Sequence, residues 1–347
     1  MMPNPALPDV GALVLVTGGT GSLGPSVVNA LRRADFAVRV FSNDTPAAGL
    51  LPPDVDVCTG DVCDAGAVRA AMSGVSGVIH MAALLHVENP APELTQRYDQ
   101  VNVEGTATVV EAAMDAKVAR LVYVSTISVY GAGTGALITE TARPEPDSPY
   151  ARTKLAGEQH VLAARRADQA PLGTVLRLAA IYGPRVKGHY QRLVRALAAG
   201  RFLPVGPCTN RRTVVFHEDA ANAAVLALTH ESSAGRIYNI TDGKFHRTDE
   251  IIAAICEALG RKPPRFALPV APIRGMLRLV DSMAWALPTR LPVSAKTIDK
   301  FLEDVAVDGS LAQAKLGFVP QYDLRAGWRE TVTGMRLGHA GQSETTR

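Results

Sequence analysis

The chain has few cysteines, little net charge and no long apolar run, and each shortage removes a class of function. Its only cysteines are Cys58, Cys63, Cys208 and Cys256. They are scattered and form no Cys-x-x-Cys pair, so neither a disulfide framework nor a bound metal is expected, and free thiols in a reducing compartment are. Basic and acidic residues number 36 and 33, a net charge of +3, with no block of basic residues. Nucleic acid is therefore not an expected partner. No apolar stretch reaches the ~20 residues that cross a bilayer. The opening MMPNPALPDVG lacks the basic start and apolar stretch of a secretion signal. The expectation is a cytoplasmic protein, without membrane-surface contact.

Hydrophobic residues make up 47% and charged residues 20%, as in packed globular proteins. At 347 residues the chain exceeds one usual core, which suggests a large α/β domain with a smaller lobe. Short apolar runs at 12–16, 37–41, 55–57, 77–81, 121–125 and 173–178 read as strands. They alternate with helical stretches at 25–33, 65–72, 100–116 and 150–166. This rhythm predicts a doubly wound parallel Rossmann sheet over residues 11–180. After Gly183-Pro184, helical stretches at 190–199, 217–228, 248–259 and 310–316 are broken by proline-rich connections, with one further strand at 236–240. Residues 181–340 are expected to form a C-terminal substrate-binding lobe, with 213–241 returning to the sheet and 1–10 and 341–347 flexible. Between Pro272 and Pro288, Ile273, Met276, Leu277, Val280, Ala284 and Leu287 share one helical face, while Arg274, Arg278 and Asp281 lie on another. The segment reads as an amphipathic helix packed on the body; a lid or a membrane-surface helix are its alternatives.

Thr17-Gly18-Gly19-Thr20-Gly21-Ser22-Leu23-Gly24 follows the first strand at once. Glycine belongs where a strand turns sharply into a helix and its backbone must approach phosphate. Gly18, Gly21, Ser22, Leu23 and Gly24 are therefore candidates to hold a dinucleotide pyrophosphate at the helix N-terminus. At the end of the second strand an acid would select NAD through the adenosine ribose. Here stand Ser42 and Asn43, with Asp44 one position beyond. The choice stays open between NAD and NADP, leaning slightly to NADP. Asp61, with Val62 beside it, is placed to meet the adenine edge.

Tyr150-Ala151-Arg152-Thr153-Lys154 carries a phenol and an ammonium one helical turn apart, after a Ser148-Pro149 helix start. A free tyrosine has a pKa of about 10. A neighbouring ammonium and an oxidised nicotinamide can lower it enough for Tyr150 to exchange a proton. Val124 to Gly131 ends the fifth strand, and Thr126 is the hydroxyl chosen to hold the substrate oxygen. Ser125 and Ser128 are the reserves.

With these segments in view, the chain resembles the extended short-chain dehydrogenase/reductases, also called the NAD-dependent epimerase/dehydratase family. The likeness extends through Val78-Ile79-His80-Met81-Ala82-Ala83, Asn102-Val103-Glu104-Gly105-Thr106, Thr139-Glu140, Ile181-Tyr182-Gly183-Pro184-Arg185 and Leu316-Gly317-Phe318. The resemblance implies Tyr150 as acid/base, Lys154 as its tuner and ribose holder, Thr126 as the substrate-side hydroxyl, and Ala82 beside the cofactor. It also implies a nucleotide-diphosphate sugar as substrate, in a 4-epimerase or 4-keto reductase, with Arg212 and Lys187 on the diphosphate. The 3β-hydroxysteroid dehydrogenase branch is the alternative, and a non-catalytic dinucleotide sensor a more distant one. Ala179-Ala180 stands where epimerases usually carry an asparagine, which favours a reductase with exchangeable cofactor. Pairing of related enzymes through helices near 100–116 and 150–166 implies a homodimer.

Overall fold

Runs of valine and leucine bounded by turns build the centre of the molecule, because a strand covered on both faces needs apolar side chains on both. The computed structural model describes residues 7–85, 92–283 and 295–340. The chain begins β1 (Leu13–Thr17), α1 (Gly24–Arg33), β2 (Ala37–Ser42), β3 (Asp56–Thr59), α2 (Ala65–Ala71) and β4 (Gly77–His80). Next, α3 (Pro92–Tyr98) passes through a π-helical segment, Asp99–Glu104, into α4 (Gly105–Asp115), followed by β5 (Arg120–Thr126) and β6 (Thr134–Ile138). Then come α5 (Pro149–Ala163), β7 (Gly173–Leu178), β8 (Ala180–Tyr182), α6 (His189–Ala198), β9 (Arg211–Arg212), β10 (Val214–Phe216) and α7 (His217–Thr229). The chain continues through β11 (Ile237–Ile240), β12 (His246–Arg247), α8 (Thr248–Leu259) and α9 (Val270–Met283). It closes with α10 (Ala295–Leu302), β13 (Asp304–Val307), α11 (Ser310–Leu316) and α12 (Leu324–Ala340).

Seven strands in the order β11-β7-β5-β4-β1-β2-β3 form one parallel sheet. This is the expected doubly wound Rossmann architecture. Strand order reverses between β1 and β4, so the crevice where such sheets bind ligands opens beside Thr17 and His80. One face of the sheet packs on α1 and α7 through Val28, Leu31, Ala224 and Leu228. The other packs on α2, α4 and α5 through Val68, Val109 and Val161.

The expected strands all form, with ends shifted by one or two residues. The helix expected over 100–116 is instead part of a longer helical run whose middle is π-helical. Helix α12 has no counterpart in the sequence reading, and it contains Gly327 and Gly334. Packing explains both. A Cβ at Gly327 would overlap the Tyr182 hydroxyl, and one at Gly334 would lie 2.6 Å from the Pro184 ring. The glycines admit α12 to a core where fully buried Trp328 stacks on Tyr182 at 4.5 Å. The amphipathic helix starts earlier than expected, at Val270, and buries Leu277. Its expected residues from 284 onward, like 1–6 and 341–347 of the expected flexible ends, lie outside the described residues.

One buried ion pair ties α5 to the sheet. Glu158 and Arg177, 1% and 2% exposed, meet at 2.6 Å, and Glu158 also accepts from the Ser125 hydroxyl. The Arg177 guanidinium covers the Tyr130 ring at 4.7 Å, and the Tyr130 hydroxyl donates to Asn239 on β11. Removing one member leaves the other charged and dry, so Glu158→Ala or Arg177→Ala should each cost about 3–5 kcal/mol of unfolding free energy in urea titrations. The double variant should cost well under the sum; additive costs would show that the two do not act as a pair.

Candidate active site

The glycine loop joins β1 to α1 with almost no free space. Gly18 has φ of +69°, and a Cβ there would lie 2.8 Å from the Ala82 backbone. A side chain would therefore push apart the ends of β1 and β4. Gly24 would overlap the Gly19 carbonyl if it carried a Cβ. Gly21 sits exposed at the tip, its N–H donating to the Gly18 carbonyl at 3.0 Å. Helix α1 opens after Ser22 and Leu23 with no side-chain cap. Pro25 has no N–H, and those of Gly24, Ser26 and Val27 are taken by the Gly21 and Leu23 carbonyls, so the helix dipole and the loop N–H groups before it suit an anion, and the cradle fits a dinucleotide pyrophosphate.

At the adenosine end the expectation for Ser42 is corrected. Its side chain is buried, with the hydroxyl 2.5 Å from that of Thr20, so it serves the loop rather than a ribose. Asn43 and Asp44 are the exposed groups there. Val62 is likewise a packing residue, its side chain buried beside Gly105. Asp61 accepts from the Cys63 N–H at 3.0 Å and from Arg97 at 2.7 Å. These donors, the Cys63 amide foremost, hold its carboxyl below the usual carboxylate range. An adenine amino group would share Asp61 with Arg97.

A hydrogen-bond chain crosses the switch point. The Thr17 hydroxyl accepts from the Met81 and Ala82 N–H groups at 3.2 Å, and so gives its own hydrogen to His80 Nδ1 at 2.6 Å. His80 Nε2 then donates to the Thr106 hydroxyl at 3.0 Å, which donates to the Asn102 carbonyl. Complete burial pushes the imidazole down to about 3, so it stays neutral. Asn102 lies in the π-helical segment and grips Leu84, accepting from its N–H at 2.8 Å and donating to its carbonyl. Its amide also donates to Thr153, which donates to the Tyr150 carbonyl. Sequence reasoning quoted the segments holding His80 and Asn102 but gave neither residue a role. The signal was a polar residue inside an otherwise apolar run.

Helix α5 starts on Ser148, whose hydroxyl accepts from the Ala151 N–H. Tyr150 stands edge-on to Tyr98, centroids 6.4 Å apart, and burial pushes its phenol up to about 12. One turn on, Lys154 is 2% exposed, its ammonium 4.0 Å above the Tyr123 ring. Burial pushes it down to about 7 against the opposing pull of Glu158. Helix α5 packs on β5 and the short turn after it, which bring Thr126 and Ser128 to the same end of the sheet. Thr126 is half-buried and caps that turn, accepting from the Ser128 N–H at 3.1 Å and donating to the exposed Ser128 hydroxyl.

One substrate candidate is corrected. Ser125 is buried and donates to Glu158 at 2.5 Å, so it cannot turn to a substrate. Arg212 is half-buried and donates to the carbonyls of Lys300 and Phe301 at the C-terminal end of α10. Lys187 remains exposed between β8 and α6. Among the described residues no group of three or more His, Cys, Asp or Glu side chains could hold a metal.

The sequence pattern of the NAD dependent epimerase/dehydratase family matches residues 14–241. The chain is 27% identical over 326 residues to a UDP-glucose 4-epimerase of Vibrio cholerae, covering 92% of this chain and 94% of the relative. It is 28% identical to a 3 beta-hydroxysteroid dehydrogenase/Delta 5-->4-isomerase of Mycobacterium tuberculosis, across 89% of this chain and 86% of that one. Among solved structures, MoeE5 in complex with UDP-glucose and NAD superposes with a TM-score of 0.74 at 28% identity, covering 94% of this chain and 99% of that one. Switch-point crevice, glycine cradle and matched pattern agree: the chain belongs to the NAD-dependent epimerase/dehydratase family of the extended short-chain dehydrogenase/reductases.

Proposed function

We propose that this protein moves a hydride and a proton at a secondary alcohol or ketone, at C4 of a nucleotide-diphosphate sugar, as an epimerase or a 4-keto reductase. The observation that carries the reading is the pair Tyr150 and Lys154, packed on one face of α5 where β5 ends, with the ammonium dry and poised near neutrality. Relatives supply the substrate class: one is named for UDP-glucose epimerisation, and a neighbour holds UDP-glucose with NAD.

When bound, the nicotinamide would supply the hydride acceptor and donor. Gly18 to Gly24 and the start of α1 would hold its pyrophosphate, and Ala82, fixed through Thr17, would stand beside it. In oxidation the Thr126 hydroxyl leaves Ser128 to hold the substrate oxygen, and Tyr150 takes the alcohol proton. Bringing a phenol from about 12 to neutrality needs about 7 kcal/mol of preferential phenolate stabilisation. A charged Lys154 supplies part of it, and a positive ring in a dry site the remainder. Exposed Lys187 and half-buried Arg212 would meet the diphosphate.

For the cofactor the proposal is NAD, against the slight lean of the sequence reading to NADP. Between Arg39 and Arg69 the chain has no lysine or arginine but carries Asp44, Asp54, Asp56, Asp61 and Asp64. Arg39 and Arg32 are taken up by Asp56 and Asp54. A 2′-phosphate would enter a negative edge with no cation to receive it.

Tyr150→Phe should lower turnover of UDP-galactose or UDP-glucose about a thousandfold or more while NAD affinity stays within a few-fold; full activity in that variant would overturn the mechanism. Lys154→Met removes the charge that favours the phenolate. Its oxidation rate should therefore rise with pH along a profile displaced to higher pH, measured as nicotinamide absorbance between neutrality and pH ~10. Steady-state kinetics should favour NAD over NADP by about tenfold or more, and Asp44→Arg should narrow the gap. Thermal shifts caused by a 3β-hydroxysteroid and by no nucleotide sugar would transfer the assignment to the steroid branch.

A further inference from the structure

Two stretches without a single acidic residue, Gln169 to His217 and Ala258 to Val280, lie far apart in the chain. The fold brings part of each together on the lobe. Val205 and Leu268 form a parallel bridge, and the two stretches exchange backbone bonds from the Gly206 N–H to Leu268 and from the Leu268 N–H to Pro204. Helix α9 covers this pair through Leu277 and Ile273. Beside that small core stand apolar side chains that nothing covers among the described residues: Phe266 is 80% exposed, Leu203 55% and Met276 55%. Leu203 and Phe266 each lie two residues before the bridged pair, on the two segments that the bridge holds side by side.

Cations stand close to Leu203 and Phe266: Arg201 and Arg265 flank them in the chain, and Arg261 lies against Gly200. Arg201, Arg261, Lys262 and Arg265 are all exposed, and among the described residues none forms an ion pair. The adjoining carboxylates Glu257 and Asp299 are taken up by Arg325 and Arg274. Uncompensated cations close to exposed large apolar side chains are the pattern of a surface that lies in a lipid interface. A single-stranded nucleic acid could stack on Phe266 but gains nothing from the exposed aliphatic Leu203, which a lipid interface takes up.

We propose that this face of the lobe docks peripherally on an anionic lipid bilayer, its exposed apolar side chains entering the headgroup boundary while the cations meet lipid phosphates. Charge complementarity selects this occupant. No helix of the described residues is long and apolar enough to cross a membrane, so contact is confined to the surface. The sequence expectation of no membrane-surface contact rested on the lack of a spanning apolar run and of a secretion signal, neither of which reports side chains gathered by folding. The inference does not depend on the proposed reaction.

The test is co-sedimentation of the full chain with phosphatidylcholine vesicles, with and without phosphatidylglycerol. Sedimentation only with the anionic vesicles, reversed by salt, is expected. Leu203→Ser with Phe266→Ser, and separately Arg261→Glu with Lys262→Glu and Arg265→Glu, should each weaken it about tenfold or more. Thermal midpoint and NAD affinity should be unchanged in both variants, which separates docking from folding and from the active site. No sedimentation at low salt overturns the proposal, as does binding that survives either set of substitutions.

Discussion

A carboxylate cannot stay charged in a dry interior without partners, and Glu158 is such a carboxylate. Its need for Arg177 and Ser125 fixes helix α5 against β7 and β5 at once. Tyr150, Lys154 and Glu158 follow one another at four-residue intervals, so fixing the last fixes the register of the other two. The ammonium of Lys154 then has one place to go, over the Tyr123 ring, where burial holds it near neutrality. The proposed proton chemistry thus depends on an ion pair buried beneath the site.

The cofactor side shows the same economy. Gly18 lets β1 and the chain after β4 approach to backbone contact, and Thr17 and His80 close that approach with hydrogen bonds that satisfy every member. Because His80 is neutral, it adds no charge of its own to the crevice. Asn102 extends the network to Leu84 on one side and, through Thr153, to the Tyr150 backbone on the other. A π-helical turn is a costly conformation, and here it aims one amide at both halves of the site.

The sheet, the glycine loop and the Tyr150–Lys154 pair were legible in the sequence because each is written locally, as an apolar run, a glycine spacing or a helical period. What escaped was written at a distance. Ser125 and Thr126 are adjacent strand-end hydroxyls of similar chemistry, and only the position of Glu158, 33 residues on, decides that Ser125 is structural. Arg212 has the right charge for a diphosphate, yet the open carbonyls of a helix end offer the same guanidinium an equally good partner. Ser42 looked like a ribose contact until Thr20 claimed its hydroxyl. Helix α12, absent from the sequence reading, packs through its glycines.

Accuracy of the sequence reading therefore follows how the two parts of the molecule are held. Around the sheet, buried side chains satisfy one another and leave one arrangement. In the lobe, Asn210, Arg211 and Arg212 fasten the segment after α9 by polar links to backbone carbonyls and Asp304, while α9 itself rests on a small apolar cluster. Such links exchange for a ligand's oxygens at little net cost, whereas the Glu158–Arg177 pair does not. The proposed reaction thus rests on the tightly paired side chains around the sheet, and the proposed choice of substrate on side chains whose links a ligand can replace.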